Sequence, residues 1–564
     1  MTSGASDQWG LSRRADWRFL LPGASSQPVT HVLLVGERQT TTAADTREPD
    51  AESGQESGAE SGAESNEEHP LVADGWAAHV SVDLNTIPAE LPPPDLVVVW
   101  PGAAVESAVA FAADAATVVV KLDRGWRSRL ERIRALRAAG FEPRAHYLVT
   151  PNLAEAKRYV SLDRSDAIGW LLAPPPPVAG TAGRLRRFGH RLVISAVSNA
   201  VSVAASIPML AAVVGGATHG LVIASRGGHR PNTSDGAEPP PVLMTSGHDE
   251  GSRAVLVDLD HQSGDSPTVT KLSPRPRYNG NADAEADVIG DLRMRMHGDR
   301  AANAERLLPE IETTVEVGRL RGTRERYAGR WTASDLGNRV PNGRVPMLHR
   351  VLSTIDDFTL ATAAEPVPWS DQLFTEHVTD LFDRYRTITG PAENLDALQA
   401  ALAERSADLA GVPFPTAQRH YDLGPWNVVV NDDGDRLTII DWELTPLRTP
   451  GRPGPAGADQ LYFTKYWLHL AMESTSIDDE LTAFPFIAGR PQAAAADAVA
   501  ESLTRLHLDR RFVPLVTTHV WLEKALYTAA RRSAADGTPG DAGSATRYLT
   551  TLAARRDELL TFWT

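Results

Sequence analysis

The sequence predicts an α/β unit followed by an α+β unit, and three observations predict it. In residues 1–225, continuous apolar runs rich in β-branched residues alternate with helical patterns, as in a parallel sheet buried on both faces. The segment RGGHRPNTSDGAEPPP, 226–241, is rich in Gly, Pro and Ser and reads as a linker. Beyond it, short strand patterns over 242–320 give way to a mainly helical region over 321–564.

The N-terminal strands are HVLLVG at 31–36, HVSVDLN at 79–85, DLVVVW at 95–100 and TVVVKL at 117–122. AAVESAVAFAADAA follows the third, and RGWRSRLERIRALRAAGF follows the fourth as an amphipathic helix stopped by Gly140. Between the first two strands, 44–69 repeats Glu, Ser and Gly, has almost nothing to bury and is expected to be a disordered insertion. The stretch LRAAGFEPRAHYLVTPN with KRYVSLD resembles the closing helix and strands of a class I methyltransferase fold, a Rossmann-like parallel-sheet domain. That resemblance implies a glycine-rich cofactor turn after the first strand, whereas Gly36 is followed by Glu37, Arg38 and Gln39. Asp83 is the one candidate for a cofactor ribose, so the domain is expected to be degenerate and not to methylate. Residues 192–225 lack Asp, Glu, Lys and Arg; their small residues and Pro208 read as a buried helix followed by the strand GLVIAS, and membrane insertion is not expected.

Composition excludes several classes of function. A net charge of −16 without a basic stripe argues against nucleic acid as a partner. Cysteine is absent, which removes disulfides, thiolate nucleophiles and zinc–thiolate sites. The N-terminus lacks a signal-peptide pattern, so the cytoplasm is the expected compartment. Lysine occurs only at 121, 157, 271, 465 and 524, so a lysine in a special place stands out.

In the second half, 242–260 reads as strand, turn, strand, 266–272 as a third strand carrying Lys271, and DAEADVIGDLRMRM as the next helix. Helices are expected over 318–340, 346–363 and 370–388, and over most of 459–564. The chemistry gathers in HYDLGPWNVVVNDDGDRLTIIDWE, 420–443. WNVVVN and RLTII are two strands joined by the turn Asp432-Asp433-Gly434-Asp435. An antiparallel hairpin brings Asp422 and Asn427, at the entry of the first strand, close to Asp441, at the exit of the second. Three oxygen-bearing side chains at one end of a rigid ribbon suit Mg²⁺ bound to a triphosphate.

That segment resembles the catalytic hairpin of the aminoglycoside phosphotransferase and choline kinase family, relatives of protein kinases. The resemblance implies a two-lobed kinase-like fold over about 240–564 and transfer of the γ-phosphate of ATP, with Mg²⁺, to a hydroxyl of a small sugar-like or aminoglycoside-like molecule. Within it, Asp422 would orient the acceptor hydroxyl, His420 would brace the loop, and Asn427 and Asp441 would hold metal. Lys271 would contact phosphate and pair with Glu285, or second with Asp287, while Ser246, Gly247 and Gly251 would belong to the loop over the phosphates. Tyr421 departs from the glycine usual there, and Asp459 matches an Asp that often opens a helix in the family. Acidic residues at 356, 357, 371, 376 and 380 offer a polycation no more than a solvated face would. Alternatives are a catalytically inactive kinase-like scaffold and a bifunctional protein with an N-terminal methyltransferase. The acceptor and the oligomeric state are not legible.

Overall fold

The computed structural model describes residues 17–21, 29–36, 77–82, 87, 90–151, 153, 156–173, 218–226, 240–245, 253–259, 266–339, 344–390, 393–442, 453–471, 490–536 and 544–562. The repeat at 44–69, Asp83, the apolar stretch 192–217, Ser246, Gly247, Gly251 and Glu443 lie outside these residues. The chain divides into two compact units, one of residues 1–173, 187–283 and 311–327, the other of 174–186, 284–310 and 328–564.

The first unit is built on one twelve-stranded sheet. Its strands are β1 (Val29–Val35), β2 (Ala77–Val82), β3 (Leu96–Val99), β4 (Thr117–Leu122), β5 (Phe141–Thr150), β6 (Arg158–Ser161), β7 (His219–Arg226), β8 (Val242–Thr245), β9 (Ala254–Asp258), β10 (Thr268–Leu272), β11 (Ile311–Val317) and β12 (Leu320–Arg326). They lie in the order β2-β1-β3-β4-β7-β5-β6-β8-β9-β10-β12-β11. The four expected strands are present, and β2, β1, β3 and β4 are mutually parallel. Successive residues of these strands enter two different cores: Leu33, Val97, Val99 and Val118 pack on one face and Val32, Leu34, Val98 and Val119 on the other. Burial on both faces is why the runs are continuously apolar. Helices α1 (Val105–Val109) and α2 (Trp126–Ala138) cover the first of those faces through Val105, Ala108, Ile133 and Leu136. A third, α3 (Ser165–Leu172), follows β6.

Two expectations differ from what is seen here. The sheet is parallel only over its first four strands, since β7 lies antiparallel between β4 and β5. The segment 226–241 also does not interrupt the sheet: β6 pairs with β8, Tyr159 opposite Leu243, so strands on both sides of the linker share one ladder. A linker composition is silent on which strands pair across it.

A helix over 318–340 is replaced by the turn at Gly318 (φ +63°), the strand β12, the short strand β13 (Trp331–Thr332) and a helical segment from Ala333 to Arg339. LRGTRER buries Thr323 and Glu325 and exposes Arg321, Arg324 and Arg326. Its buried side is polar, which hides the two-residue alternation from a hydrophobicity reading.

The second unit is mainly helical. Helix α4 (Gly280–Arg295) leads in; β13, β14 (Val428–Val430) and β15 (Leu437–Ile439) form a small antiparallel sheet. The helices are α5 (Arg344–Ala361), α6 (Asp380–Thr389), α7 (Glu393–Ala407), α8 (Ala458–Ala471), α9 (Arg490–Arg505), α10 (Val513–Asp536) and α11 (Ser544–Ala554). The helix expected at 370–388 is present, N-capped by Ser370 and ending at Gly390 (φ +82°), with Val378, Leu381, Phe382 and Tyr385 buried as its spacing requires. Against α5 pack α8 and α9. No helix among the described residues is long and apolar enough to cross a membrane.

Candidate active site

The hairpin β14–β15 closes where the sequence places it, with Val428 opposite Ile439 and Gly434 (φ +75°) in the turn. Below it the two strand ends are tied together. Ile440 N donates to Asn427 O at 2.9 Å, and the Asn427 side-chain amide donates to Asp422 O at 2.8 Å. Asp422, Asn427 and Asp441 therefore share one end of the ribbon. Tyr421 and Asp441 both sit at φ +70°, a left-handed conformation that L side chains adopt at a cost and that recurs where function fixes the backbone.

His420 braces this end from below. Its Nε2 lies 2.9 Å from Ile440 O, its ring meets Trp442 edge-on with centroids 4.6 Å apart, and its Nδ1 is buried without a hydrogen-bond partner. The nitrogen facing a carbonyl must carry the hydrogen, so the imidazole is neutral and donates from Nε2. Burial pushes its pKa below the ordinary value, against the raising pull of Asp459 and the Ile440 carbonyl. Asp459, in the first turn of α8, reaches out of its helix: its carboxylate accepts from His420 N at 2.6 Å and Tyr421 N at 3.2 Å. Arg419 holds that carboxylate (Nε to Oδ1, 3.5 Å) and also Glu523 of α10 (2.7 Å), which His519 approaches at 3.3 Å. Burial alone would raise Glu523, but His519 and Arg419 outweigh it and hold the carboxyl well below the usual range.

Asp422 itself is gripped on one oxygen. Tyr462 of α8 donates to Oδ1 at 2.5 Å and Lys524 of α10 to the same atom at 2.7 Å. Burial would raise the carboxyl; Lys524, then Tyr462 and His420, reverse the sign and keep it below the ordinary value, so it is ionised at neutral pH. Burial beside Asp422 correspondingly raises the Tyr462 phenol, which stays a donor.

The candidates for nucleotide contact are placed as follows. Lys271 lies on β10 as expected, buried, with Nζ 2.9 Å from Glu325 Oε1 of β12; Thr323 also donates to that oxygen at 3.0 Å. Glu285 lies on α4, fully buried, and accepts from Trp442 N at 3.2 Å, which ties α4 to the residue after Asp441. Lys271 belongs to the first compact unit and Glu285 to the second.

The acidic positions considered for a polycation are engaged internally where they matter. Asp356 is completely buried and bonded to Gln460, Ser502 and Arg505, and Asp357 pairs with Arg300.

A comparison with protein families matches residues 247–450. The match is to the phosphotransferase enzyme family. Those residues contain Lys271, Glu285, His420, Asp422, Asn427 and Asp441, so the resemblance read from the hairpin is upheld over that stretch. None of the curated proteins matches the chain. Among solved structures, the chain is similar to aminoglycoside phosphotransferase APH(4)-Ia at 14% identity, covering 55% of this chain and 93% of that one with a TM-score of 0.33. It is also similar to a choline/ethanolamine kinase family protein from Mesorhizobium loti, at 14% identity over 65% of this chain and 98% of that one, TM-score 0.27. A third is the macrolide 2'-phosphotransferase MphH from Brachybacterium faecium, at 14% identity, 51% and 90% coverage and TM-score 0.24.

Four residues of this cluster escape a motif reading: Arg419, Tyr462, Glu523 and Lys524. The rarity of lysine is the one signal in the sequence that singles out Lys524.

Proposed function

We propose that this protein transfers the γ-phosphoryl group of ATP to a hydroxyl of a small molecule, sugar-like or aminoglycoside-like, in the cytoplasm. The observation that carries the reading is the convergence of Asp422, Asn427 and Asp441 at the end of the β14–β15 ribbon away from its turn, inside the stretch that matches the phosphotransferase family.

The residues fit a hard divalent cation. With its amide N–H₂ used on Asp422 O, Asn427 has its side-chain oxygen left as a donor, and Asp441 adds a carboxylate at the neighbouring strand end. Asn427 and Asp441 would hold a Mg²⁺ ion, which would supply neutralisation of phosphate charge. Asp422, kept ionised by Lys524 and Tyr462, accepts a hydrogen bond from the acceptor hydroxyl and aims its oxygen at the phosphorus. As the new O–P bond forms and the bond to the ADP oxygen breaks, Asp422 takes the hydroxyl proton. Its low pKa makes it a weak base, which suits a loose transition state in which the proton moves late and alignment matters most. Lys271, whose ammonium is held by Glu325 on the neighbouring strand, fits the role of a phosphate contact. For residues 1–225, the parallel run β2-β1-β3-β4 supports the Rossmann-like reading, and the want of a second glycine after Gly36 supports a non-catalytic domain.

The test is Mg²⁺-dependent ATP consumption by the full chain across a panel of hydroxyl acceptors. One acceptor should stimulate turnover, and Asp422→Asn should lower kcat by about 100-fold or more while leaving the KM for ATP nearly unchanged. A panel-wide absence of Mg²⁺-dependent turnover contradicts the proposal.

A further inference from the structure

Beside Asp422 the chain builds an aromatic shelf that the phosphoryl-transfer chemistry does not use. Trp426, within the same loop, is 39% exposed and meets Tyr466 edge-on at 4.8 Å. Tyr466 lies 4.9 Å from Tyr462, whose hydroxyl bonds Asp422. Trp521 of α10 backs both tyrosines at 6.1 and 6.4 Å. Gly424 makes room for Trp426: a Cβ there would come within 2.3 Å of the indole. A large indole left open to solvent next to the reacting carboxylate, on a loop whose glycine is shaped around it, is a surface offered to a ligand.

The charges of the cluster decide what kind of ligand. Lys524 stands at Asp422 and lies 5.4 Å from the Tyr462 ring, while Lys465 lies 3.8 Å over Tyr466. Apart from Asp441, which the proposed function gives to a metal, the carboxylates here are already engaged: Asp422 by Lys524 and Tyr462, Asp459 by Arg419 and two loop N–H groups, Glu523 by Arg419 and His519. Lys465 is buried, so an acceptor carrying several ammonium groups would meet Lys524 and would have to displace it to reach the Asp422 carboxylate. A sugar ring without amino groups meets no such cost, because its C–H face covers an indole and its hydroxyls reach Asp422.

From this juxtaposition we propose that Trp426 and Tyr466 form the acceptor platform, and that the acceptor is an uncharged or acidic sugar ring in place of an amino sugar. This rests on the phosphotransferase reading, and narrows its substrate class.

Calorimetric titration of the full chain, with Mg²⁺ and a non-hydrolysable ATP analogue present, tests the proposal with glucose, glucuronate and kanamycin as probes. Glucose and glucuronate should bind saturably, kanamycin should not, and Trp426→Ala should weaken sugar binding about tenfold. Trp426→Phe, which keeps an aromatic face, should retain most of the affinity and guards against a misfolded alanine variant. Kanamycin binding tighter than either sugar, sugar affinity unchanged in Trp426→Ala, or no sugar binding by the native protein would each overturn the proposal. Stabilisation by the Mg²⁺–analogue complex, read by melting in the same samples, fails only if the phosphotransferase reading fails.

Discussion

His420 is a histidine whose environment forbids a second proton, because Nε2 is committed to Ile440 O and Nδ1 has no acceptor. Its folded pKa lies below the ordinary 6.5, so between the two values the unfolded chain binds more protons than the folded one. Stability contributed by this group is therefore complete above about pH 6.5 and is lost as pH falls through the folded value. Melting curves between pH 7 and 5 should show the native midpoint falling, and His420→Gln should flatten that fall; an equal slope in both proteins contradicts the role. The residues of the loop were legible because their spacing along one short segment encodes the geometry. Tyr462 and Lys524 were not, since they reach Asp422 from helices 40 and 102 residues further along, where nothing local marks them.

At the scale of elements, the loop that carries Asp422 is held by α8 and α10 through Arg419, which links Asp459 to Glu523. A buried cation with two carboxylate partners costs little while complete and much when broken, because its removal leaves carboxylates uncompensated. Arg419→Met should lower unfolding free energy by about 3–5 kcal/mol in denaturant titration, and a change under 1 kcal/mol would show the network to be incidental. The hairpin and α5 could be read in advance from strong apolar period. β12 could not, since its inward face is Thr323 and Glu325, placed there to meet Lys271 on β10. Polar burial serving a charged partner across a strand is invisible to a pattern that scores only hydrophobicity.

For the whole molecule, composition predicts a linker at 226–241 and says nothing of the ladder between β6 and β8, the strands on either side of it. Strand partnership depends on which edges meet in space, and the edge of β8 would be left unpaired if the N-terminal strands were removed. The decisive measurement therefore uses the full chain: the thermal midpoint with ATP, with and without Mg²⁺, in the native protein, Asp422→Asn and Asp441→Asn. A metal–nucleotide site built on Asn427 and Asp441 predicts a rise that requires Mg²⁺, survives in Asp422→Asn and is largely lost in Asp441→Asn. No Mg²⁺-dependent rise in the native protein, or equal loss in the two variants, would contradict it.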